Sequence, residues 1–496
     1  MKYKYILRPD KHNDDMKKML DRRSNWIQSF DKMRQLKNNN WNLLWKLTNN
    51  IEIFNIESEL YFLDSENTPD SILKNQIVNH IPFSNLITQK YNLINTLGNY
   101  YTKMNNFTVN DSQCDNQLFE VIPETFIIDK NTNIDDLKFE NIMYIVKPED
   151  AFAGMGISVF NDKTKLLKYI RDGLDGKLIV KNYTKTTADP EKQYLKFGEN
   201  DKWIVQKYIM NPLRLEGRKF DIRVNVLVNN DYDIYFSPYI IVRTSSLPYL
   251  PILTGNDNID KATHITNNAF QKQVPLFYGR YEESNILRLE QLQQYFDLSY
   301  GKNTINIRRD FFPRMKELIC DSILSIRERV SLERTERKFY EHFGFDFLID
   351  DNFRTWLIEI NQNPSLDWDT MWSRKYIDFF LEDIGKKAID PYFPSRDHRS
   401  PKPIKGISFP ETPDLPWKSE VSKKELPSWF KPSNKPVPKK SQIFENEIFE
   451  LIYSETKSIS KVKHQMTNVE KYIEDKNPYR FTCNKSEDFY YPFGKI

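Results

Sequence analysis

Long apolar runs are absent from this 496-residue chain, and cysteine is scarce. No stretch approaches the roughly 20 apolar residues that cross a bilayer, and the N-terminal segment lacks the apolar core of a signal peptide. The three cysteines, Cys114, Cys320 and Cys483, are far apart, and no two have the spacing of metal ligands. These absences argue against a membrane-spanning protein and a disulfide-stabilised secreted domain, and they favour a reducing, intracellular compartment.

A strong excess of charge is also lacking. Charged residues make up 28% of the chain, yet the formal net charge is only +3. A dedicated nucleic-acid-binding protein carries a pronounced basic excess, so this class is not expected. Hydrophobic residues make up 39%, which indicates a soluble globular protein long enough for two or three domains.

Strand-like and helix-like patterns alternate along the chain, which predicts a mixed α/β fold. Strands are predicted at residues 3–7, 120–128, 143–146, 202–209, 220–228 and 234–242. Helices are predicted at 87–101, 163–171 and from 313 to about 340. In the last of these, Ile319, Ile323, Ile326 and Val330 recur at the spacing of one buried helix face.

Proline and lysine dominate from about residue 396 to 440, which predicts a solvated, semi-rigid linker. Beyond it, apolar residues from 459 to 473 follow helical spacing. We expect one amphipathic helix there, and docking onto the catalytic body is favoured over a seam with a partner.

The clearest functional signal is a predicted hairpin at 344–364 with a polar turn at 350–353. Because side chains alternate across a strand, Glu359 and Asn361 share a face, and a tight turn places Asp346 opposite Glu359. Two facing carboxylates repel unless a cation lies between them, and Mg²⁺ bound with phosphates uses one or two carboxylates. A hairpin that merely exposes its acids to water is the simpler alternative, and it leaves their restriction to one face unexplained.

A second strand, within 217–228, places Lys219, Asp221 and Arg223 on one face. That row is either a surface ladder or a site that binds phosphate and carboxylate, and the pattern alone leaves both open. Lys147 ends another strand and precedes a short glycine loop at 154–156. Such an arrangement suits the phosphates of a nucleotide, but a short glycine loop alone is weak evidence for one. Neither a P-loop nor a dinucleotide fingerprint occurs.

In order along the chain, these segments resemble the tubulin-tyrosine ligase family, which has the ATP-grasp fold. The resemblance runs from the N-terminus to about residue 395. Its motifs are at 147–157, 206–209, 217–223, 264–267 and 344–361. It implies a small N-terminal α/β domain at 1–80, ATP-grasp domains at 81–200 and 201–395, and an extension at 396–496 made of the linker and the helical tail.

The resemblance also implies roles for individual residues. The residues implied to bind ATP are Lys90, Lys147, Gln206, Lys207, Tyr208, Ile209, Lys219, Asp221, Thr266 and Asn267. Those implied to hold Mg²⁺ are Asp346, Glu359 and Asn361. Arg223 and Arg243 are implied to bind the substrate carboxylates, and with Glu359 they form the implied catalytic set.

The implied activity is ATP-dependent attachment of an amino acid to the C-terminal tail of tubulin through an acyl phosphate. The implied location is the cytoplasm and the cytoskeleton. Segments at 243–249 and 278–283 favour tyrosine as the amino acid, whereas 362–366 resembles relatives that add glutamate or glycine chains. A catalytically silent, microtubule-binding relative is the third alternative.

Overall fold

The computed structural model describes residues 2–7, 13–29, 40–45, 69–107, 117–149, 156–181, 194–196, 202–255, 257–272, 276–327, 329, 336–365, 370–395, 414–427 and 448–454. The predicted helix at 459–473, most of the glycine loop at 151–155, Cys114 and Cys483 lie outside these ranges.

The strands, in chain order, are β1 (Tyr3–Leu7), β2 (Trp26–Gln28), β3 (Leu43–Trp45), β4 (Ile77–Val78), β5 (Thr125–Ile128), β6 (Tyr144–Pro148), β7 (Ser158–Phe160), β8 (Ile179–Lys181), β9 (Tyr194–Lys196), β10 (Trp203–Lys207), β11 (Arg214–Leu215), β12 (Arg218–Val228), β13 (Ile234–Phe236), β14 (Ile241–Pro248), β15 (Ile286–Arg288), β16 (Lys338–Phe339), β17 (Glu341–Ile349), β18 (Thr355–Gln362) and β19 (Glu450–Tyr453).

The helices, in chain order, are α1 (Asn13–Asp21), α2 (Asp70–Leu73), α3 (Asn85–Thr88), α4 (Lys90–Phe107), α5 (Gln117–Val121), α6 (Lys163–Leu174), α7 (Asp257–His264), α8 (Asn268–Gln271), α9 (Leu289–Tyr300), α10 (Ile307–Asp310), α11 (Phe312–Leu324) and α12 (Met371–Ile384). A π-helical turn, Gly385–Ile389, follows α12 directly.

Three sheets organise these elements, and the prediction of a mixed α/β fold is confirmed. A five-stranded sheet has the order β16-β4-β3-β1-β2, and a four-stranded sheet has the order β5-β10-β6-β7. The largest sheet is built around β12, which pairs with β11, β13, β14 and β17, while β18 pairs with β17. Strands β8 and β9 pair only with each other among the described residues. Because β12 has strands on both sides, its side chains are held rigidly.

The main core lies under one face of β12. Its alternate residues Phe220, Ile222, Val224 and Val226 are all buried there, as period-two alternation requires. Helix α11 packs on the same core through Ile319 and Ile323, and Ile326, just beyond its end, is buried there too. These three positions of the predicted apolar face are confirmed, whereas Val330 lies outside the described residues. The other face of β12 is left for polar residues.

Three sequence-based boundaries are wrong, each for a local reason. The segment predicted as a strand at 120–128 begins as helix α5, and β5 starts only at Thr125, after Pro123. The strand predicted at 234–242 is two strands, because a proline at 238 has no N–H for a ladder. The helix predicted to reach about 340 ends at Leu324, and Lys338–Phe339 is a strand of the first sheet.

Part of the proline- and lysine-rich segment packs on the core, so the expectation of a solvated linker is wrong for residues 414–427. Leu415 and Trp417 are buried in the main cluster. The Trp417 indole N–H donates to Glu282 at 3.2 Å, and its ring lies edge-on to Tyr295. Farther along, β19 pairs with β13 at the edge of the largest sheet. The division into domains proposed from the sequence stays a prediction.

No helix among the described residues is both long enough and apolar enough to cross a membrane.

Replacing Trp417 with alanine should lower the free energy of unfolding by about 3–5 kcal/mol, because it removes a buried indole and leaves a cavity. The neighbouring Lys418→Ala is a matched control, since Lys418 is exposed and should change stability by less than about 0.5 kcal/mol. Urea unfolding followed by circular dichroism measures both. Equal midpoints for the two variants would show that this segment does not pack on the core.

Candidate active site

A polar stripe runs along the face of β12 that is turned away from the main core. Lys219, Asp221 and Arg223 occupy alternate positions there, as the sequence predicts. Two of the three face an oppositely charged residue of a neighbouring strand, because Asp221 is in register with Arg243 of β14 and Arg223 with Asp346 of β17. The row is therefore one layer of a site that three strands build, and the alternative of an exposed surface ladder does not hold.

Two arginines and two aspartates form a closed network in this layer. Arg223 donates through Nε and Nη2 to the two carboxylate oxygens of Asp346, the second at 2.9 Å. Arg243 donates through Nε to Asp221 at 2.6 Å, and its Nη2 lies 2.9 Å from Asp346 Oδ2. Planar guanidinium groups suit such paired contacts with carboxylates.

The two aspartates respond to the network in opposite ways. Burial raises the pKa of Asp346, but the two arginines outweigh it and hold the pKa well below the usual range. Burial raises the pKa of Asp221 more than Arg243 lowers it. Asp346 is consequently a firmly ionised carboxylate, which is the form that binds a cation.

The hairpin of β17 and β18 brings the predicted metal ligands together. Asp346 is in register with Glu359, which confirms the predicted apposition. The Asn361 amide lies between them, with Nδ2 at 3.1 Å from both Asp346 Oδ2 and Glu359 Oε1. Lys90, the first residue of α4, reaches Glu359 at 3.7 Å.

This donor set fits Mg²⁺ in the way that phosphate-bound magnesium is usually held. The described residues hold no group of three or more His, Cys, Asp or Glu suited to a metal, so a dedicated protein cage is not present among them. Mg²⁺ needs only one or two carboxylates when phosphates and waters complete its octahedron. Asp346 and Glu359 supply two, and rotating the Asn361 amide by half a turn would add its oxygen.

Two buried lysines lie beside the carboxylates and are poorly compensated. Burial lowers the pKa of Lys219 to about 7, with Asp221 raising it and Lys147 lowering it further. Burial also lowers the pKa of Lys147 to about 8, despite the attraction of Glu359. The Lys147 ammonium donates to Gln206 Oε1 at 2.9 Å. Both lysines would gain from an anion in this space.

Several of the predicted nucleotide-binding residues make other contacts in the structure. The Lys207 side chain pairs with Glu124 and Glu140, which raise its pKa, and so it faces away from Gln206. The backbone N–H groups of Lys207 and Tyr208 donate to Glu124 and Met143, so any backbone contact with a ligand would use other groups. Ile209 follows directly after Tyr208.

Thr266 and Asn267, the two residues predicted near the phosphates, also make contacts within the protein. Thr266 donates its hydroxyl to Asp221 and therefore joins the charge network. The side-chain oxygen of Asn267 accepts from the Ala269 N–H and caps α8. This contact uses the amide oxygen of Asn267 and leaves the amide nitrogen for a ligand.

His264 is a residue of the site to which the sequence pattern assigned no role. Its Nδ1 lies 3.0 Å from the Tyr208 hydroxyl, which also accepts from Lys219 at 2.9 Å. Burial and then Lys219 lower the pKa of His264 to about 4, so the ring is neutral at pH 7. The motif at 264–267 contained this histidine, but only its burial and its contacts reveal its position.

The chain is similar to several known proteins. The model of the tubulin-tyrosine ligase family matches residues 66–397. Tubulin glycylase 3D of Tetrahymena thermophila is 31% identical over 260 residues, which cover 51% of the chain and 22% of that protein. A probable alpha-tubulin polyglutamylase of the same organism is 28% identical over 353 residues, which cover 69% of the chain and 75% of that protein.

A protein polyglycylase of Mus musculus is 28% identical over 303 residues, covering 59% of the chain and 40% of that protein. The chain therefore spans less than half of the glycylase and of the polyglycylase, and most of the polyglutamylase.

Replacing Lys219 with methionine should stabilise the protein at pH 6 by on the order of 2 kcal/mol, since no buried ammonium remains. The folded-state pKa of about 7 lies below the ordinary 10.5, so the wild-type lysine destabilises the fold fully below pH 7. That cost, and hence the gain in the variant, should shrink as the pH rises toward 10.5. Urea unfolding at several pH values measures it.

Lys207→Met is the matched control, because this lysine pairs with two glutamates and should lose stability instead. A gain in Lys219→Met that grows with pH would contradict the assignment of a buried, partly neutral lysine.

Proposed function

The chain belongs to the tubulin-tyrosine ligase family, and from this premise we propose that it is an ATP-dependent ligase that joins an amino acid to a tail of tubulin. The observation that carries the proposal is the layer that places Asp346, Glu359 and Asn361 beside two arginines and two buried lysines. The names of the glycylase and polyglutamylase relatives support tubulin as the partner. The family has the ATP-grasp architecture.

The chemistry required is activation of a carboxylate, which is a poor acyl donor because its leaving group would be oxide. A carboxylate oxygen attacks the γ-phosphorus of ATP, ADP leaves, and an acyl phosphate forms. The amine of the second substrate then attacks the acyl carbon, phosphate leaves, and an amide bond and a proton result. Neither step requires a nucleophile from the protein.

The protein's contribution is to bind and neutralise. Mg²⁺, when bound, supplies charge neutralisation for the β- and γ-phosphates. Lys147 and Lys219 bind phosphate oxygens, whose negative charge stabilises the protonated, charged form of each lysine. Arg223 and Arg243 orient the carboxylate to be activated. Gln206, Tyr208 and Ile209 are proposed to hold the adenine, and of these Tyr208 contacts both Lys219 and His264.

The amino acid is proposed to be glycine or glutamate. The sequence favoured tyrosine, but the relatives described above are named for glycine and glutamate addition, and none of these names supports tyrosine. The segment at 362–366, which follows the metal-binding hairpin, had pointed to the same alternative.

Replacing Glu359 with glutamine should lower the rate of amino-acid incorporation into tubulin by about 100-fold or more, because one of two metal-binding carboxylates loses its charge. The control is Asp351→Asn, an exposed acid in the turn of the same hairpin, which should keep wild-type activity. Incorporation of labelled amino acid, with MgATP in excess, measures both. A Glu359→Gln protein as active as wild type would refute the proposed metal site.

Incubating the wild-type protein with tubulin, MgATP and labelled glycine, glutamate or tyrosine in separate reactions should label tubulin with glycine or glutamate. Mass spectrometry of the cleaved tails locates the addition. Incorporation of tyrosine alone would contradict the proposed amino acid and leave the ligase chemistry intact. No incorporation of any of the three, together with no binding of MgATP, would favour a silent microtubule-binding relative.

A further inference from the structure

The polar stripe on β12 continues one position beyond the charge network. Asn225 follows Arg223 on the same face, at about 7 Å along the strand. It is in register with Gly344 of β17, and the next residue on this face, Leu227, is buried in a second apolar cluster. Asn225 is thus the last polar group before the core closes the stripe.

Asn225 is buried, with only 1% of its surface exposed. Its Oδ1 lies 2.9 Å from His342 Nε2. Burial, and then Arg223, lower the pKa of His342 to about 3, so the ring is neutral at pH 7. A neutral ring with its proton on Nε2 donates to the amide oxygen, and this contact fixes which way the amide points.

The Asn225 amide nitrogen, in contrast, has no hydrogen-bond partner among the described residues. An unsatisfied buried donor of this kind costs about 1–3 kcal/mol. Leucine or valine would remove the unsatisfied amide N–H, although His342 would then lose the acceptor of its own N–H. A ligand that supplies an acceptor oxygen would explain why an amide is kept there.

The neighbouring arginine reaches toward this amide. A Cβ atom built on Gly344 would lie 3.0 Å from Arg223 Cδ and 2.7 Å from Pro364 Cβ. The Arg223 side chain therefore lies over Gly344, the residue that faces Asn225 across the two strands. The Arg223 side chain and the Asn225 amide thus lie next to the same register position of β17.

The order of groups along β12 indicates which substrate would lie near Asn225. Lys219 would meet the nucleotide, and Arg223 would meet the activated carboxylate. Whatever lies beyond Arg223, away from the nucleotide, is on the side from which the attacking amine must come. Besides the amine, glycine and glutamate share the α-carboxylate, which accepts hydrogen bonds.

We propose that Asn225 Nδ2, oriented by His342, binds the α-carboxylate of the incoming amino acid and sets its affinity. This subsite rests on the proposed ligase function and adds a specificity-determining residue to it. Asn225 touches the substrate in this assignment, whereas His342 acts through Asn225 as a positioning residue.

The decisive variant is Asn225→Leu, which keeps the size of the side chain and removes both the amide oxygen and the amide nitrogen. We expect the KM for glycine or glutamate, whichever wild type incorporates, to rise about tenfold or more, while the KM for MgATP stays unchanged. Ser237→Ala is the matched control, since Ser237 is buried and its backbone N–H donates to the Asn225 carbonyl, whereas its hydroxyl pairs with Tyr376. It should leave both KM values at the wild-type level.

His342 and a substrate analogue separate binding from a structural effect. His342→Phe should raise the same KM, and His342→Gln, which keeps an N–H donor, should restore much of it. Wild type should discriminate against the amino-acid amide, which lacks the carboxylate charge, and Asn225→Leu should lose most of that discrimination. Thermal unfolding of Asn225→Leu should remain cooperative, with a loss of stability of no more than about 1–3 kcal/mol because His342 loses its acceptor.

Unchanged KM for the amino acid in a folded, active Asn225→Leu protein would overturn the subsite. Failure of the proposed function looks different, because wild type itself would then incorporate nothing. In that case isothermal titration of the amino acid into wild type and Asn225→Leu, each saturated with a magnesium complex of a non-hydrolysable ATP analogue, decides the point. Equal binding, or none to either, would also overturn the subsite.

Discussion

The pairing of Arg223 and Arg243 with Asp346 and Asp221 is the interaction on which the rest of the site depends. Each of these side chains is largely buried, and a buried charge without a partner costs about 3–5 kcal/mol. Their backbones belong to three different strands, so the charges neutralise one another only if β12, β14 and β17 pair in the observed register. A slip of one residue in β17 would place Phe345 or Phe347 opposite Arg223. The network therefore specifies the register of the sheet as well as the chemistry of its polar face.

The two buried lysines have the opposite character, because each donates to neutral acceptors and the nearby carboxylates offset the effect of burial only in part. Lys219 donates to the Tyr208 hydroxyl and a backbone carbonyl, which are neutral acceptors. Burial therefore favours its neutral form, and the ammonium returns when an anion enters. Each proton taken up in this way links anion binding to pH, and the lysine destabilises the empty protein. Affinity for phosphates and stability of the empty fold are opposed at this position.

How much of this could be predicted depends on whether a feature is local in sequence. The hairpin and the stripe on β12 follow from period-two alternation over a few residues. That alternation predicts the apposition of Asp346 with Glu359 and the shared face of Lys219, Asp221 and Arg223, as the structure has them. Pairings between distant segments were not accessible. The sequence places Trp417 in a polar segment. It becomes a core residue because it contacts Glu282 and Tyr295, which are distant in sequence. His264 and Asn225 were missed for the same reason, since their roles come from Tyr208 and His342, far away in the chain.

The same distinction explains why the reaction was easier to predict than the amino acid. Transfer of a phosphoryl group to a carboxylate demands the same cations and carboxylates whatever amine follows, so a ligase needs a large and recognisable set of charges. The amine-bearing substrate demands little beyond one anchor for its carboxylate and room for its side chain. A neutral group can serve as that anchor if it is dry and its orientation is fixed, because a hydrogen bond is strongest where water does not compete. Such a group is a single asparagine within an apolar strand. Its sequence neighbours give no sign of it, and its unsatisfied N–H becomes visible only when the strands are assembled.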